Sequence, residues 1–226
     1  MNPTIRSAAL EDEVESRQSA PIPTRTLLWR IELCVFAVVI TLLNLPLLTA
    51  GFASNFVFEP TAVSAGEWWR VITHLFVHVS LYHALLNASV FFLLYTELRN
   101  NARCERFAFL LAAGAGSLLV SLWAAPMIQT RGLCGLSGIA HGLATVSALE
   151  TMRGAKNRTL WWLGLASLLL VVSKSLIEGV TGRIAFESLH FGQLGYPIAV
   201  CHAGGVLGAL LAWLGFGARR VQRREK

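Results

Sequence analysis

The chain has 226 residues and a formal net charge of +6, with 54% hydrophobic and only 14% charged residues, and its mean hydropathy is +0.57. Soluble domains carry about 25% charged residues, so a soluble single domain is excluded and a polytopic membrane protein is implied. The basic residues gather at the ends of apolar runs, as Arg25 and Arg30, Arg99 with Arg103 and Arg106, Arg153 with Lys156 and Arg158, and a last group from Arg219 to Lys226. That distribution is topological; no basic stripe with interleaved aromatics accompanies it, which argues against nucleic acid as a partner.

In chain order, residues 1–25 carry Glu11, Asp12, Glu13 and Glu15 and lack an apolar core, so they read as a short disordered cytoplasmic tail and not as a cleavable signal. Residues 26–218 read as one all-α membrane domain, a six-transmembrane-helix bundle with spans near 31–50, 78–97, 105–125, 136–152, 160–178 and 197–217. Residues 219–226 form a basic cytoplasmic tail. With basic clusters before span 1 and after spans 2, 4 and 6, the positive-inside rule puts both termini in the cytoplasm. Two outer connections are long: residues 51–77, ending near the interfacial pair Trp68 and Trp69, and residues 179–196, where Phe186, Leu189 and Phe191 mix with Gly182, Gly192 and Gly195. Loops of that length are often functional lids. No internal repeat suggests the inverted symmetry of a transporter.

Polar groups inside the spans are few, and such groups are costly enough to be functional candidates by default. His83 and Asn87, preceded by His74 and His78, are four residues apart and share one face of span 2. They suit either a pair of converging donors or ordinary hydrogen bonds between helices. At the start of span 4, Gly135-Leu136-Ser137-Gly138 flanks a serine with glycines, which leaves its hydroxyl accessible as a nucleophile requires. Gly138 and Gly142 also make a small-residue packing motif. His141 lies one turn below Ser137 and suits substrate binding, tuning of the serine or a structural hydrogen bond. In span 6, His202 shares a face with Gly205 and Ala209, a stripe expected to press on span 4 and bring His202 Nε2 within hydrogen-bond reach of Ser137 Oγ. Lys174 and Glu178, one turn apart in span 5, are expected to pair with each other.

A serine hydroxyl needs a base, and histidine is the usual one at neutral pH. The only aspartate, Asp12, lies in the tail, and no glutamate lies in the outer half of spans 2, 4 or 6. The expectation is therefore a Ser137–His202 dyad without a carboxylate, with His83, Asn87 and the Ser137 backbone N–H as oxyanion donors. Cys34, Cys104, Cys134 and Cys201 lack metal-ligand spacing, so no metal and no other cofactor is expected, and the sequence leaves open whether Cys134 and Cys201 pair.

Together, Trp69-Arg70, His83-xxx-Asn87, Gly135-x-Ser137-Gly138 and His202-xx-Gly205, in this order on six spans, resemble the rhomboid intramembrane serine proteases. Gly-Leu-Ser-Gly-x-x-His-Gly at 135–142, Lys174-xxx-Glu178 and Gly195-Tyr196-Pro197 resemble the rhombosortase branch more narrowly. The likeness covers most of residues 66–215. There are departures: no glycine occurs between Gly66 and Gly114, and Cys201 and Ala209 stand where an alanine and a glycine are usual. The resemblance implies Ser137 as nucleophile, His202 as general base, His83 and Asn87 as the oxyanion hole, and His141 and Gly135 as accessory candidates. It also implies a multi-pass protein of the bacterial inner membrane acting on single-span membrane proteins, in this branch on bacterial surface or secreted proteins that end in a glycine-rich stretch, an apolar helix and a basic tail. The competing readings are a general rhomboid protease, a catalytically inactive rhomboid-like binder of membrane helices and, from another class, a membrane cytochrome with histidine axial ligands. Oligomeric state is not legible.

Overall fold

A computed structural model describes residues 24–49, 51–185, 192 and 198–224. Most of the expected N-terminal tail, the Gly195-Tyr196-Pro197 run, much of the 179–196 loop and the last two residues of the basic tail lie outside the described residues. The chain divides into two compact units, residues 1–37 and 38–226. Within the first, the described residues are the beginning of a helix; the second holds everything that follows.

The described residues form nine α-helices and no strand. Helix α1 (Thr24–Asn44) passes into a 3-10 turn over Leu45–Thr49, where Pro46 removes a backbone donor and cannot continue an α-helix. A loop containing the short α2 (Pro60–Ser64) leads to α3 (Arg70–Thr73) and then α4 (Leu81–Glu97). Ser80 caps α4 by accepting the His83 N–H at 3.1 Å. After α5 (Arg103–Ala124) and α6 (Ile128–Arg131) come α7 (Ser137–Arg153), α8 (Arg158–Thr181) and α9 (Val200–Arg224). Helix α8 is capped at its start by Asn157, whose side chain accepts from Leu160 N–H at 2.9 Å. It stops at Gly182, in the left-handed conformation with φ +66°.

The six long helices fall on the six apolar runs of the sequence. By length and apolarity, Leu27–Thr49, α5 and α8 qualify as membrane spans, and α4 joins them if it is counted with the Arg70–Phe76 helix, from which it is bent by 92°. Helix α7 has 17 residues and the apolar part of α9 is Val200–Phe216, each short of the roughly 20 residues a straight crossing takes. Composition explains why these two differ. They are the inner helices, with Ala140, Leu143, Val146, Cys201 and Ala209 buried, whereas α8 exposes Leu163, Leu169, Leu176 and Ile177. Apolar side chains outside and Ser117, Ser121, Thr145, Glu178 and His202 inside is the arrangement of a helix bundle in lipid. The protein is a multi-pass membrane protein.

Glycines set how closely the inner helices approach. A Cβ on Gly205 would strike the Gly138 carbonyl, and one on Gly142 would lie 2.7 Å from the Gly205 carbonyl oxygen and 3.1 Å from Ala209 Cβ. The expected packing of the α9 stripe on α7 is therefore present. It has a second partner that the sequence did not announce, because Gly204 and Gly208 meet the backbone of Gly116 and Ala112 on α5 just as closely.

The Trp69-Arg70 pair pins the long loop over this bundle. Buried Arg70 donates through Nη1 to the Ser54 and Val57 carbonyls, each at 2.8 Å, and pairs through Nε with Glu67 at 2.7 Å. Trp69 Nε1 reaches the Asn55 carbonyl at 3.1 Å and Thr73 Oγ1 the Phe56 carbonyl at 3.0 Å. Phe58 then exchanges two backbone hydrogen bonds with Leu133, at 3.0 and 2.9 Å, tying this loop to the segment that leads into Ser137.

Candidate active site

Ser137 is the first residue of α7, and the turn before it depends on Gly135. Its φ of +108° is a conformation that costs glycine nothing and other residues a good deal. Gly135 N–H donates to the His74 carbonyl at 2.9 Å and Leu136 N–H to His78 Nε2 at 3.4 Å. His78 is held in turn by Asn44, whose Oδ1 accepts from the His78 backbone N–H at 2.9 Å and lies 3.3 Å from its Nδ1. His74 and His78 thus hang the serine turn on the segment preceding α4. Beginning a helix here leaves the first N–H groups of α7 without intrahelical partners and directed out of the helix end.

His83 and Asn87 project from α4 into the cavity that also contains Ser137. A Cβ on Gly135 would come within 3.2 Å of His83 Cε1 and 3.5 Å of both His83 Nε2 and Asn87 Nδ2. The bare glycine keeps open the space in front of those nitrogens. Asn87 is only 7% exposed, and its Nδ2 has no hydrogen-bond partner. A buried unpaired donor costs about 1–3 kcal/mol, so its presence points to an acceptor that arrives from outside.

His202 sits on α9 beside Cys201, both buried. The expected hydrogen bond from Ser137 to His202 is not the one formed. Ser137 Oγ lies 3.7 Å from Cys201 Sγ, the neighbouring residue on the same turn of α9. The expectation that no carboxylate reaches the histidine is also corrected. Glu178 comes from α8, which the sequence had set aside as carrying a self-contained ion pair, and its Oε2 accepts from His202 Nδ1 at 2.7 Å. Its Oε1 accepts from Lys174 Nζ at 2.7 Å and from the Ala185 N–H at 2.8 Å. The Lys174–Glu178 pair is thus present as expected but is shared with α9. Lys174 Nζ extends the chain to His141 Nε2 at 2.9 Å, and His141 Nδ1 donates to the Ser137 carbonyl at 2.8 Å. The His141 and His202 rings stack with centroids 4.0 Å apart, tilted by only 11°.

His141, Glu178 and His202 bring ligand atoms within 4.8 Å of one another, the spacing of a metal site. Lys174 Nζ, within 3 Å of both Glu178 Oε1 and His141 Nε2, already places a positive charge in that cluster. Cys134 and Cys201 are free thiols. Burial pushes the Cys134 thiol up to about 12, so it is no thiolate at neutral pH.

These groups face one cavity of about 540 Å³. Leu86, Val90 and Leu94 of α4 form one wall and Leu170, Val171 and Lys174 of α8 another, with Ala140, His141 and Ala144 of α7 between them; Phe52, Val57 and Arg131 line it on the loop side. An extended apolar chain could lie along these aliphatic walls with one polar group directed at Ser137, Asn87 and His83.

The sequence profile of the Rhomboid domain matches residues 65–219, more than half of the chain. No curated protein is significantly similar to it.

Proposed function

The chain belongs to the rhomboid family of intramembrane serine proteases, and on that premise we propose that it is an active endopeptidase using Ser137 as nucleophile and His202 as general base. The observation that carries this reading is the convergence of Ser137, His202, His83 and Asn87, drawn from three helices, on one largely apolar cavity. Ser137 Oγ attacks the scissile carbonyl carbon, its proton passes to His202 Nε2, and the carbonyl electron pair moves onto oxygen. Rotation of Ser137 about χ1 among its staggered positions redirects the hydroxyl from Cys201 to the base. The oxyanion meets Asn87 Nδ2, His83 Nε2 and the free N–H groups at the start of α7, donors fixed before the charge develops. Collapse returns the proton to the leaving amine, and water attacking the acyl-enzyme completes the hydrolysis.

The substrates in this reading are single-span membrane proteins of a bacterial inner membrane. All six long helices cross the bilayer, the two short inner ones shielded by their neighbours, and both termini are cytoplasmic, as the basic clusters require. The narrower assignment, cleavage of a C-terminal anchor with a glycine-rich stretch and a basic tail, rests on the Gly135–Gly142 and Lys174–Glu178 motifs. The test is cleavage of two reporters, one ending in Gly-Gly, an apolar helix and a basic tail and the other in the same helix without the glycines. Wild type should cut the first, while Ser137→Ala and His202→Ala insert but do not cut. Cleavage by Ser137→Ala would end the serine-protease reading. Equal cleavage of both reporters would leave a general rhomboid protease.

A further inference from the structure

The proposed reaction uses Ser137 and His202 but leaves Glu178, Lys174 and His141 without a task, although hydrogen bonds of 2.7–2.9 Å join them to one another and to His202. The geometry points to Glu178 as a positioning residue that fixes the His202 tautomer for catalysis, with Lys174 as the internal counter-ion that makes a carboxylate tolerable there. This rests on the assignment of His202 as the base.

Donor and acceptor chemistry fixes the argument. A carboxylate only accepts, so the 2.7 Å contact between Glu178 Oε2 and His202 Nδ1 places the proton on Nδ1 and leaves the lone pair on Nε2, the nitrogen that must receive the serine proton. Both carboxylate oxygens are occupied, Oε1 by Lys174 Nζ and the Ala185 N–H, and the side chain has no exposed surface. It is therefore held in one orientation. An isolated buried carboxylate would be prohibitively costly, and the Lys174 ammonium, on the same helix one turn away, brings the pair to neutrality. When His202 takes the serine proton, Glu178 stays ionised and faces the new imidazolium, as the carboxylate does in a serine-protease triad.

His141 receives its state by the same logic. The Ser137 carbonyl can only accept, so His141 Nδ1 carries a proton, and Nε2, facing the Lys174 ammonium at 2.9 Å, must be the bare acceptor. The ring stacked on His202 is thus neutral, and it holds the plane of the base without competing for the serine proton.

The decisive variant is Glu178→Gln. There the Lys174 ammonium and the Ala185 N–H claim the amide oxygen, so the NH2 group faces His202 Nδ1. That forces the proton to Nε2, the wrong tautomer for a base. The expected result is a kcat lower by up to about 10⁴-fold, the loss seen when a triad aspartate becomes asparagine, with KM within about threefold of wild type. The Ala185 N–H holds the amide oxygen on the same side, so the amide cannot turn to restore the original tautomer. A purely structural role predicts instead that His202 keeps its tautomer in Glu178→Gln.

Side-chain nitrogen NMR of the wild-type protein in detergent reads the tautomer without any variant or substrate; Nδ1–H and bare Nε2 are expected at neutral pH. A proton on Nε2 in the wild type, wild-type kcat in Glu178→Gln, or, by the same NMR, an unmoved tautomer in folded Glu178→Gln overturns the positioning role. Cleavage by Ser137→Ala or His202→Ala instead removes the protease reading itself, and the positioning role with it, a pattern distinct from the other three.

Discussion

Replacing Gly205 by alanine tests whether glycine contacts set the position of the catalytic histidine. The added Cβ would lie 2.6 Å from the Gly138 carbonyl carbon, where ordinary contact begins at 3.4 Å, and closer still to the carbonyl oxygen. Backbone cannot give way as a flexible side chain can, so α9 must part from α7 by about 0.8 Å or more. His202 is three residues before Gly205 on that same face, and Ser137 directly precedes Gly138. The whole displacement is therefore felt between base and nucleophile. A misplacement of about 1 Å costs about 10²-fold in rate, and overpacking of this kind destabilises by about 1–3 kcal/mol. Reporter cleavage and thermal unfolding in one detergent measure the two effects. Gly215→Ala, where a Cβ meets nothing within 4 Å, is the control and should change neither. If Gly205→Ala cleaved at the wild-type rate with unchanged stability, the view that glycine contacts between α7 and α9 set the catalytic distance would be wrong.

Gly135→Ala places a methyl in front of His83 and Asn87 at a backbone φ of +108°; cleavage should fall at least as far as for Gly205→Ala, read in the same reporter assay. Asn87→Ala removes a donor aimed at the oxyanion and should lower kcat by about 10²- to 10³-fold. Because Asn87 Nδ2 has no partner in the folded protein, the melting temperature should hold or rise, and a large drop would show that it is satisfied structurally. Arg70→Leu leaves the Ser54 and Val57 carbonyls without their donor. It should destabilise by about 2–4 kcal/mol and speed proteolysis of the loop at residues 51–58, whereas unchanged protease resistance would show the loop is held by other contacts.

What the sequence made legible follows from which interactions are local. The positions of the six helices follow from apolar runs, and the shared face of His83 and Asn87 follows from a spacing of four residues. The α9 stripe announced close packing because glycine at Gly205 has few other uses in a helix. The role of Glu178 was not legible for a geometric reason. Its spacing from Lys174 is satisfied entirely within α8, and nothing local reveals a third partner 24 residues away on another helix. The carboxylate lies on α8, not on the helices that carry Ser137, His83 and His202. The available signal was an acid and a base inside an otherwise apolar run, since ionisable groups within a span are costly and usually serve another partner. The bond from Ser137 to Cys201 was illegible for a finer reason: residues 201 and 202 both approach α7, and a choice between adjacent side chains lies below what helical periodicity resolves.

The cluster around His202 and the unpaired Asn87 obey opposite rules, and the contrast separates support from chemistry. Polar groups in a bundle are costly unless they satisfy one another, and the hydrogen bonds of Glu178, Lys174 and His141 join them within the protein, the Lys174 and Glu178 charges paired. Such a network is stable without substrate and gains nothing when one binds. Asn87 Nδ2 is left unmet in the same bundle, a few ångströms from a glycine that keeps its approach clear. Its cost is recovered only when an acceptor arrives, and an oxyanion, with full negative charge, is a better acceptor than the ground-state carbonyl. The donor thus contributes most where the barrier lies, which is why Asn87→Ala should act on kcat rather than KM.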